Sequence, residues 1–408
     1  MNLIFKLAWR NIWRNKKRSL ITIASVFIAV FLAIFMRSMQ LGMYGNMINN
    51  VVKTYSGFIQ IHKKGYWDEQ TLNNAFKYRK GLVDSLKQIE GVVDVIPRLQ
   101  TFSLMSSGHL TKGVMIQGID IDKEKGLVSW EDRLISGNLF SNNDNSIIVT
   151  KDLAQYFNKK VGDTLVFIGQ GYHGMSASGK FSIGGIIDMK NPKLNKLLVF
   201  VPLKLAQDYN SAENMVTHLI INKDDNAEND LIFDQINDKL DQDHYEVMTW
   251  EKMIPELKET IQVDNLGGIL MIGILYMIIS FGILGTVLMM TEERIYELGV
   301  MLAVGTKKIK LNLMLVFESI VLSLLGVLLG ILLVSPIIYY YHINPLVIPG
   351  PKGQALKDFG FEPLIPFSTD WKIIFTHAMI IFTIAIIASI YPILKVSFLK
   401  PVEAMRAK

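Results

Sequence analysis

The sequence contains no cysteine, and this absence excludes several kinds of chemistry. Disulfide bonds, zinc sites built from thiolates and thiol catalysis all require that residue. The seven histidines are scattered without the spacing of metal ligands, and no nucleophile motif or close carboxylate pair stands out. We therefore expect no catalytic residue, no metal site and no enzyme activity in this chain.

Charge is also scarce, because only 19% of the residues are charged whereas 50% are hydrophobic. The net charge of +5 comes from short basic clusters beside apolar stretches. A nucleic-acid-binding protein would interleave basic and aromatic residues on a soluble domain, and the part of this chain that reads as a soluble domain does not show that concentration. The composition favours a membrane protein with no nucleic-acid partner.

Four long apolar stretches carry no run of charges and are the dominant pattern. A membrane-spanning helix needs about 20 apolar residues, and the first stretch reaches that length with its flanking residues. We predict spans at residues 19–36, 266–290, 311–341 and 371–394. Four spans place both termini on one side of the membrane.

Basic residues beside these spans predict the orientation, because positive residues are retained in the cytoplasm. They lie before the first span, before the third and after the fourth: Lys6, Arg10, Arg14, Lys16, Lys17, Arg18, Lys307, Lys308, Lys310, Lys395, Lys400, Arg406 and Lys408. We therefore expect residues 1–18, 291–310 and 395–408 to be cytoplasmic. Residues 37–265 and the shorter loop 342–370 are expected outside.

The first 18 residues combine apolar and basic positions at helical spacing, with Trp9 and Trp13 one turn apart. This pattern predicts an amphipathic helix along the inner leaflet. A flexible, positively charged leader is the alternative. No small-residue cleavage pattern follows Phe35, so residues 1–35 are expected to form an uncleaved anchor.

Short strand and helix patterns alternate through residues 37–265 and predict an α+β fold class. We expect four transmembrane helices, with a large mixed α/β domain outside the membrane between the first and the second. Residues 250–265 keep helical spacing into the second span, which predicts that the domain stands on helical stalks. The predicted strands are 58–62, 92–105, 112–119, 164–168, 181–188, 197–201, 215–222 and 245–249, and the predicted helices are 82–90, 151–157 and 229–240.

A glycine-rich stretch at residues 169–180 resembles most of a nucleotide-binding phosphate loop. The match fails because Phe181 replaces the required Ser or Thr after Lys180, and a strand pattern follows instead of a helix. The glycines favour the tip of a β-hairpin. That tip would display Gly171, Tyr172, His173, Gly174 and Met175 to a docking partner, and a plain loop is the alternative.

The third predicted span contains the polar residue Glu318. A carboxylate inside a membrane is costly unless it is paired or near the interface, so we predict pairing with a basic residue or snorkelling rather than ion transport. Gly326 and Gly330 lie four residues apart in the same span. That spacing permits close helix contact, either within one chain or between two chains.

The segment from Thr291 to Lys308 is the most specific stretch of the chain, and it resembles the coupling-helix segment of FtsX-like ABC permeases. The matching residues are Glu293, Arg294, Glu297, Leu298, Gly299, Ala303, Gly305 and Thr306, followed by lysines. The resemblance implies that this segment docks in a cleft of a separate ATPase subunit. Taken alone, the segment is an amphipathic loop helix with an apolar face at Val300, Met301 and Val304, and its charged residues could form ion pairs across an interface.

The resemblance extends over the chain, from Ala8–Arg18 to Pro401–Arg406, and is strongest to the lipoprotein-releasing permeases at Gly57–Tyr66 and Val161–Leu165. It implies a multi-pass protein of the bacterial inner membrane, a second permease in a homodimer or heterodimer, lipoprotein cargo and a periplasmic carrier. It implies no cofactor on this chain, because ATP binds to the partner subunit. One such permease carries a hairpin for the carrier, and residues 169–180 match it by position only.

Two other functions stay open at this point. A MacB-like efflux permease would drive small molecules or peptides through an outer-membrane duct, although that relative usually carries its ATPase on the same chain. An FtsX-like regulator would use the same coupling to activate a cell-wall hydrolase, and it would have no lipid-linked cargo.

Overall fold

The computed structural model describes residues 9, 10, 12–14, 16–224, 227–358 and 363–400. The chain divides into two compact units. We call Met1–Gly45, Ile261–Leu346 and Ile365–Lys408 the helical unit, and Asn46–Thr260 with Val347–Leu364 the α/β domain. The predictions for residues 1–8 and for the carboxy-terminal motif Pro401–Arg406 lie outside the described residues.

The helices of the described residues include four long ones and many short ones. In chain order they are α1 (Lys16–Ile48), α2 (Tyr66–Glu69), α3 (Lys80–Lys87), α4 (Ile121–Glu124), α5 (Lys151–Tyr156), α6 (Pro192–Asn195), α7 (Leu203–Tyr209), α8 (Asn229–Lys239), α9 (Trp250–Met253), α10 (Pro255–Glu292), α11 (Ile295–Ala303), α12 (Lys308–Ile343), α13 (Gly350–Asp358), α14 (Trp371–Ala388) and α15 (Ile390–Phe398). A π-helical segment, Asn49–Ser56, follows α1, and 3-10 turns occupy Leu72–Asn74, Glu131–Arg133 and Tyr172–Gly174.

Four helical segments of the described residues are long and apolar enough to cross a membrane, which confirms the predicted fold class. They are Ser19–Lys53, Pro255–Glu292, Lys308–Ile343 and Trp371–Phe398. At about 1.5 Å per residue each exceeds a hydrocarbon core of about 30 Å. The helices extend beyond the predicted spans, because α1 continues to Ile48 and α10 includes residues 255–265 of the predicted stalk. The predicted stalk 250–265 is interrupted at Ile254, since residues 250–253 form the separate helix α9.

The fourth predicted span, 371–394, is interrupted in the structure. Helix α14 ends at Ala388 and α15 begins at Ile390. Pro392 lies four residues after Ala388, and a proline ring clashes with the carbonyl four residues earlier in a continuous helix. The break at Ser389 relieves this clash, and the Ser389 hydroxyl donates to the Ile386 carbonyl over 2.6 Å.

The α/β domain is built on a sheet of ten strands in the order β12-β1-β11-β3-β4-β9-β6-β8-β5, with β7 pairing with β3 and β8. The strands are β1 (Ile59–Lys63), β2 (Phe76–Lys77), β3 (Val92–Ser107), β4 (Leu110–Ile119), β5 (Leu134–Gly137), β6 (Ser146–Thr150), β7 (Thr164–Gln170), β8 (Ser176–Ile187), β9 (Leu198–Pro202), β10 (Met215–Val216), β11 (His218–Lys223), β12 (Tyr245–Thr249), β13 (Leu346–Val347) and β14 (Leu364–Ile365). Two-stranded sheets join β10 to β2 and β13 to β14.

The sequence patterns missed two strands of the ten-stranded sheet and the two-residue strands β2, β13 and β14, and they merged β10 with β11. Strands β5 and β6 were not predicted, although β6 carries the apolar run Ile147–Val149 and pairs with both β8 and β9. The predicted strand 215–222 is split at Thr217 into β10 and β11. The Thr217 backbone N–H donates to the Arg98 carbonyl over 2.9 Å, and its hydroxyl accepts from the Gln100 N–H over 2.9 Å, so Thr217 bonds to β3 while β10 turns away to β2.

Helix α12 approaches α1 closely at its two glycines. A Cβ atom at Gly326 would lie 2.7 Å from the Val26 Cβ, and one at Gly330 would lie 2.8 Å from the Val30 Cβ. Both distances are shorter than van der Waals contact allows. The spacing predicted from sequence therefore serves packing within the chain.

A buried ion pair fastens α12 to the residue that precedes α11. The Arg294 NH1 lies 2.7 Å and 2.8 Å from the two carboxylate oxygens of Glu318, and both side chains are about 95% buried, at 5% and 6% exposure. Within the described residues, the Arg294 Nε is buried without a hydrogen-bond partner. The structure thus pairs Glu318 with a base, as the sequence predicted.

Two buried histidines face each other in the sheet of the α/β domain. His62 on β1 is paired in register with His218 on β11, and their exposed fractions are 0% and 3%. His62 also stacks on Tyr66, and its cross-strand neighbour on β12 is Glu246. Burial lowers the pKa of His62 to about 4. Burial, and then the neighbouring His62 and Arg98, also lower the pKa of His218.

The buried histidines predict a loss of stability in mild acid. The folded-state pKa of His62 lies below the ordinary histidine value of 6.5, so the unfolded chain binds the proton first and stability falls as the pH drops from about 6.5 to about 4. For His62 the full loss is about 3 kcal/mol. Thermal unfolding of the detergent-solubilised protein, measured between pH 7 and pH 4.5, should show a shallower pH dependence for His62→Gln than for the natural sequence. His109→Gln, at an exposed histidine, is the control, and identical slopes for all three proteins would contradict this account.

The Arg294–Glu318 pair predicts that a variant lacking one partner loses more stability than a variant lacking both. Glu318→Leu or Arg294→Met alone leaves one buried partner uncompensated and should reduce the free energy of unfolding by about 3–5 kcal/mol. The double variant Arg294→Met/Glu318→Leu removes both charges and should restore most of that loss. The measurement is unfolding of the solubilised protein followed by tryptophan fluorescence. Additive losses in the double variant would refute a coupled pair.

Candidate functional site

The segment between α10 and α12, residues 291–310, is the first candidate site, and we call it the connecting segment. Its centre is α11, which begins after Arg294 and ends at Ala303. Arg294 occupies the position before the first helical residue, and its bond to Glu318 fixes where α11 starts. One end of the segment is therefore held by a buried charge pair.

The other end of α11 is closed by a Schellman motif. The Thr306 N–H donates to the Met301 carbonyl and the Gly305 N–H to the Leu302 carbonyl, each over 3.0 Å. Gly305 has φ of +98°, a conformation that a residue with a Cβ adopts only with strain. Gly305 thus terminates the helix, and the lysines that follow begin α12.

The inner face of α11 packs on the helical unit. Leu298 is 1% exposed, and it forms one apolar cluster with Met301, Leu302, Leu311, Met314, Leu315 and Val396. Gly299 is also buried. Three of the predicted docking residues, Arg294, Leu298 and Gly299, are therefore internal, and Met301, predicted on the apolar docking face, packs inward as well.

The outer face of α11 presents three apolar side chains to solvent. Tyr296, Val300 and Val304 are 53%, 36% and 83% exposed, and they follow one another at a spacing of one helical turn. Of the predicted residues, Glu293, Ala303 and Gly305 are exposed beside this face, and Glu297 and Thr306 are half-buried. The sequence analysis did not name Tyr296, although its spacing to Val300 and Val304 is a signal that would have found it.

Glu297 is engaged in the structure with a residue near the start of the chain. The Arg14 NH2 lies 2.6 Å from the Glu297 carboxylate, with both side chains about half exposed. Exposed pairs of this kind contribute at most about 1 kcal/mol, so Glu297 can exchange this partner for another. Nearby, Lys395 pairs with Glu292 at 2.7 Å and ties α15 to the end of α10.

The second candidate site is the tip of the hairpin formed by β7 and β8, residues 171–175, which we call the hairpin tip. Strand pairing extends to Gln170 and Ser176, so the predicted hairpin is present. The tip is anchored to the domain. The Tyr172 N–H donates to the Asn210 carbonyl over 2.8 Å, and the His173 N–H donates to Asn73 Oδ1 over 2.9 Å.

Anchoring divides the predicted tip residues into two groups. Gly171 is buried against Asn210, and a Cβ there would lie 2.6 Å from the Asn210 carbonyl oxygen. Tyr172 is half-buried, whereas His173, Gly174 and Met175 are exposed, with Met175 at 56%. Lys180 lies within β8 opposite Val166, so no helix follows the phosphate-loop-like sequence.

No group of three or more potential metal ligands occurs among the residues that the structure describes. The two candidate sites differ in what they expose: the connecting segment has an apolar helix face bordered by charge, and the hairpin tip has an exposed methionine and histidine. Each belongs to a different unit of the chain.

Comparison with known structures gives matches of low similarity. They include the extracellular domain of the noncanonic ABC-type transporter YknZ from Gram-positive bacteria (14% identity, covering 47% of this chain and 100% of that chain, TM-score 0.33). The periplasmic region of MacB from Actinobacillus actinomycetemcomitans matches at 11% identity (53% of this chain, 95% of that chain, TM-score 0.35). A domain of a permease protein from Porphyromonas gingivalis matches at 12% (47% and 88%, TM-score 0.29). Matches with TM-scores this low carry no functional argument.

Family models identify both parts of the chain. The MacB-like periplasmic core domain matches residues 19–239, which is more than half of the sequence and includes the hairpin tip. The FtsX-like permease C-terminal domain matches residues 269–401, which include the connecting segment. The chain therefore belongs to the FtsX- and MacB-type permeases, the membrane components of ABC transporters.

Proposed function

We propose that this permease releases lipoproteins from the bacterial inner membrane to a periplasmic carrier, driven by ATP hydrolysis on a separate ATPase subunit. The observation that carries the ATPase contact is the exposed apolar face of Tyr296, Val300 and Val304 on a helix fixed at both ends. An exposed apolar patch bordered by charge is a typical protein-binding surface. In this arrangement both termini and the connecting segment are cytoplasmic, and the α/β domain is periplasmic.

The transmission of force follows from how the connecting segment is fastened. Arg294 joins it to α12 through Glu318, and α10 continues directly from its other side. A displacement of α11 by an ATPase would therefore move α10 and α12 together. Two copies of the permease, identical or homologous, would close and open around the cargo as ATP is bound and hydrolysed.

Lipoprotein as cargo is supported by two features of this chain. The stretches Gly57–Tyr66 and Val161–Leu165 resemble the lipoprotein-releasing branch of the family, and the hairpin tip exposes Met175 and His173 as a docking surface for a carrier. The efflux and hydrolase-regulating alternatives share the ATPase contact but have no lipid-linked cargo. Cargo is therefore the property that separates the three functions.

The experiment that tests the proposal is depletion of the protein followed by separation of inner and outer membranes. Lipoproteins destined for the outer membrane should accumulate several-fold in the inner membrane. An unchanged distribution, in cells with no related permease able to substitute, would contradict the proposal and favour efflux or hydrolase regulation.

Glu297→Lys is predicted to reduce recovery of the ATPase subunit with the permease by about tenfold, because it reverses a charge beside the exposed apolar face. The readout is copurification of the two subunits and ATP hydrolysis by the complex. Arg14→Ala is the matched control, since it removes the intrachain pair and leaves the Glu297 carboxylate in place. Equal losses in both variants would assign the effect to the Arg14 pair and not to docking.

Met175→Glu is predicted to reduce lipoprotein release from spheroplasts into periplasmic extract several-fold while leaving ATPase recovery unchanged. A point substitution is preferable to deletion of residues 171–179, because residues 176–179 pair with β7. Leu231→Glu places the same charge at an equally exposed apolar residue, 58% against 56%, elsewhere in the α/β domain. Normal release by Met175→Glu would contradict a role of the hairpin tip in carrier docking.

A further inference from the structure

A lysine-lined cleft in the α/β domain belongs to neither candidate site. It encloses about 790 Å³ and is lined by Lys112 on β4, Lys151 at the start of α5, and Lys190 and Lys196 on either side of α6. Part of its wall comes from the loop that carries α13, through Gln354, Pro363 and Leu364. We call it the lysine cleft.

Asp188, one of the two acidic residues in the cleft, already accepts hydrogen bonds from its neighbours. The Asp188 carboxylate accepts hydrogen bonds from the Lys151 ammonium over 2.5 Å, from Asn195 Nδ2 over 2.8 Å and from the Lys190 N–H over 2.8 Å. These donors hold the pKa of Asp188 below its usual value in spite of its burial. The Asp188 carboxylate therefore neutralises the charge of Lys151 and does not neutralise the other lysines of the cleft.

The remaining lysines form no ion pair within the described part of the chain. The Lys112 ammonium lies 4.8 Å from the centre of the Tyr156 ring, and Lys190 and Lys196 are exposed. Partial burial, and then the charge of Lys196, lower the pKa of Lys112, which Asp152 only partly offsets. Lys112 and Lys196 thus repel each other across a cleft in which an anion would stabilise both.

We propose that the lysine cleft binds a phosphate-bearing anion through the ammonium groups of Lys112 and Lys196. A lysine ammonium is a compact charge with three donors, and it is well suited to phosphate oxygens. The cleft volume lies in the range of pockets for whole small molecules, about 300–1,000 Å³, so it accommodates a phosphate together with the group that bears it. Tyr156, at 46% exposure, offers a ring surface beside it.

The wall formed by α13 indicates an anionic lipid headgroup as the source of the phosphate. This loop leaves α12 at Ile343 and returns to a membrane-spanning helix at Trp371. Lipid headgroups carry phosphate and lie at the ends of membrane-spanning helices, so the connection along the chain from Leu364 to Trp371 favours a headgroup over a soluble anion. Free phosphate is the alternative source, and it has the same chemistry.

The test is binding of dioctanoyl phosphatidylglycerol to the full-length protein in a zwitterionic detergent, measured by titration calorimetry. We expect saturable binding that weakens at high salt. Lys112→Gln/Lys196→Gln should raise the Kd at least about tenfold. Lys159→Gln/Lys160→Gln removes the same charge from the same domain outside the cleft and should leave the Kd unchanged.

Competition then identifies the source of the phosphate. If inorganic phosphate at millimolar concentration does not displace the lipid, and dioctanoyl phosphatidylcholine binds weakly, the ligand is an anionic headgroup. If inorganic phosphate binds as tightly as the lipid, the cleft takes a free phosphate. An unchanged Kd in the cleft variant, an equal loss in the control variant, or binding that does not depend on salt would overturn the proposal.

Discussion

The buried pair of Arg294 and Glu318 is the interaction on which the arrangement of the connecting segment depends. Charges removed from water are tolerated only when each is compensated, and both side chains here are about 95% buried, with exposures of 5% and 6%. The pair therefore has one low-energy geometry, which fixes where α11 begins relative to α12. Arg294, which was expected to contact another protein, instead belongs to the internal structure that holds the contact surface in place.

This fixed start, together with the helix end at Gly305, gives α11 two distinct faces. Leu298, with its apolar neighbours, packs inward, while Tyr296, Val300 and Val304 face solvent. A short helix held at both ends behaves as one body, because fraying at either end would break the buried ion pair or the two hydrogen bonds of the Schellman motif. Such a body can pass the movement of a docked subunit to two long helices.

The sequence predicted the features that repeat along the chain and missed those that depend on distant residues. The four spans and strands such as β7 follow from hydropathy and alternation, whereas β6 carries the continuous apolar run Ile147–Val149 and shows no alternation. Both faces of α11 are apolar and Met301 and Val304 are only three residues apart, so the sequence did not show that Met301 packs inward while Val304 is exposed. The lysine cleft was also invisible in the sequence, because Lys112 and Lys196 are brought together only by the parallel pairing of β4 with β9.

Cross-linking from a single cysteine tests the central claim most directly, and the natural absence of cysteine makes the label unique. Val304→Cys carries the probe on a residue that is 83% exposed on α11, and Val347→Cys, 66% exposed, serves as the comparison in the loop after α12. In native membranes the account predicts a cross-link to an ATP-binding subunit from Val304→Cys, which ATP modulates, and none from Val347→Cys. No cross-link from Val304→Cys, or the same cross-link from both positions, would contradict it.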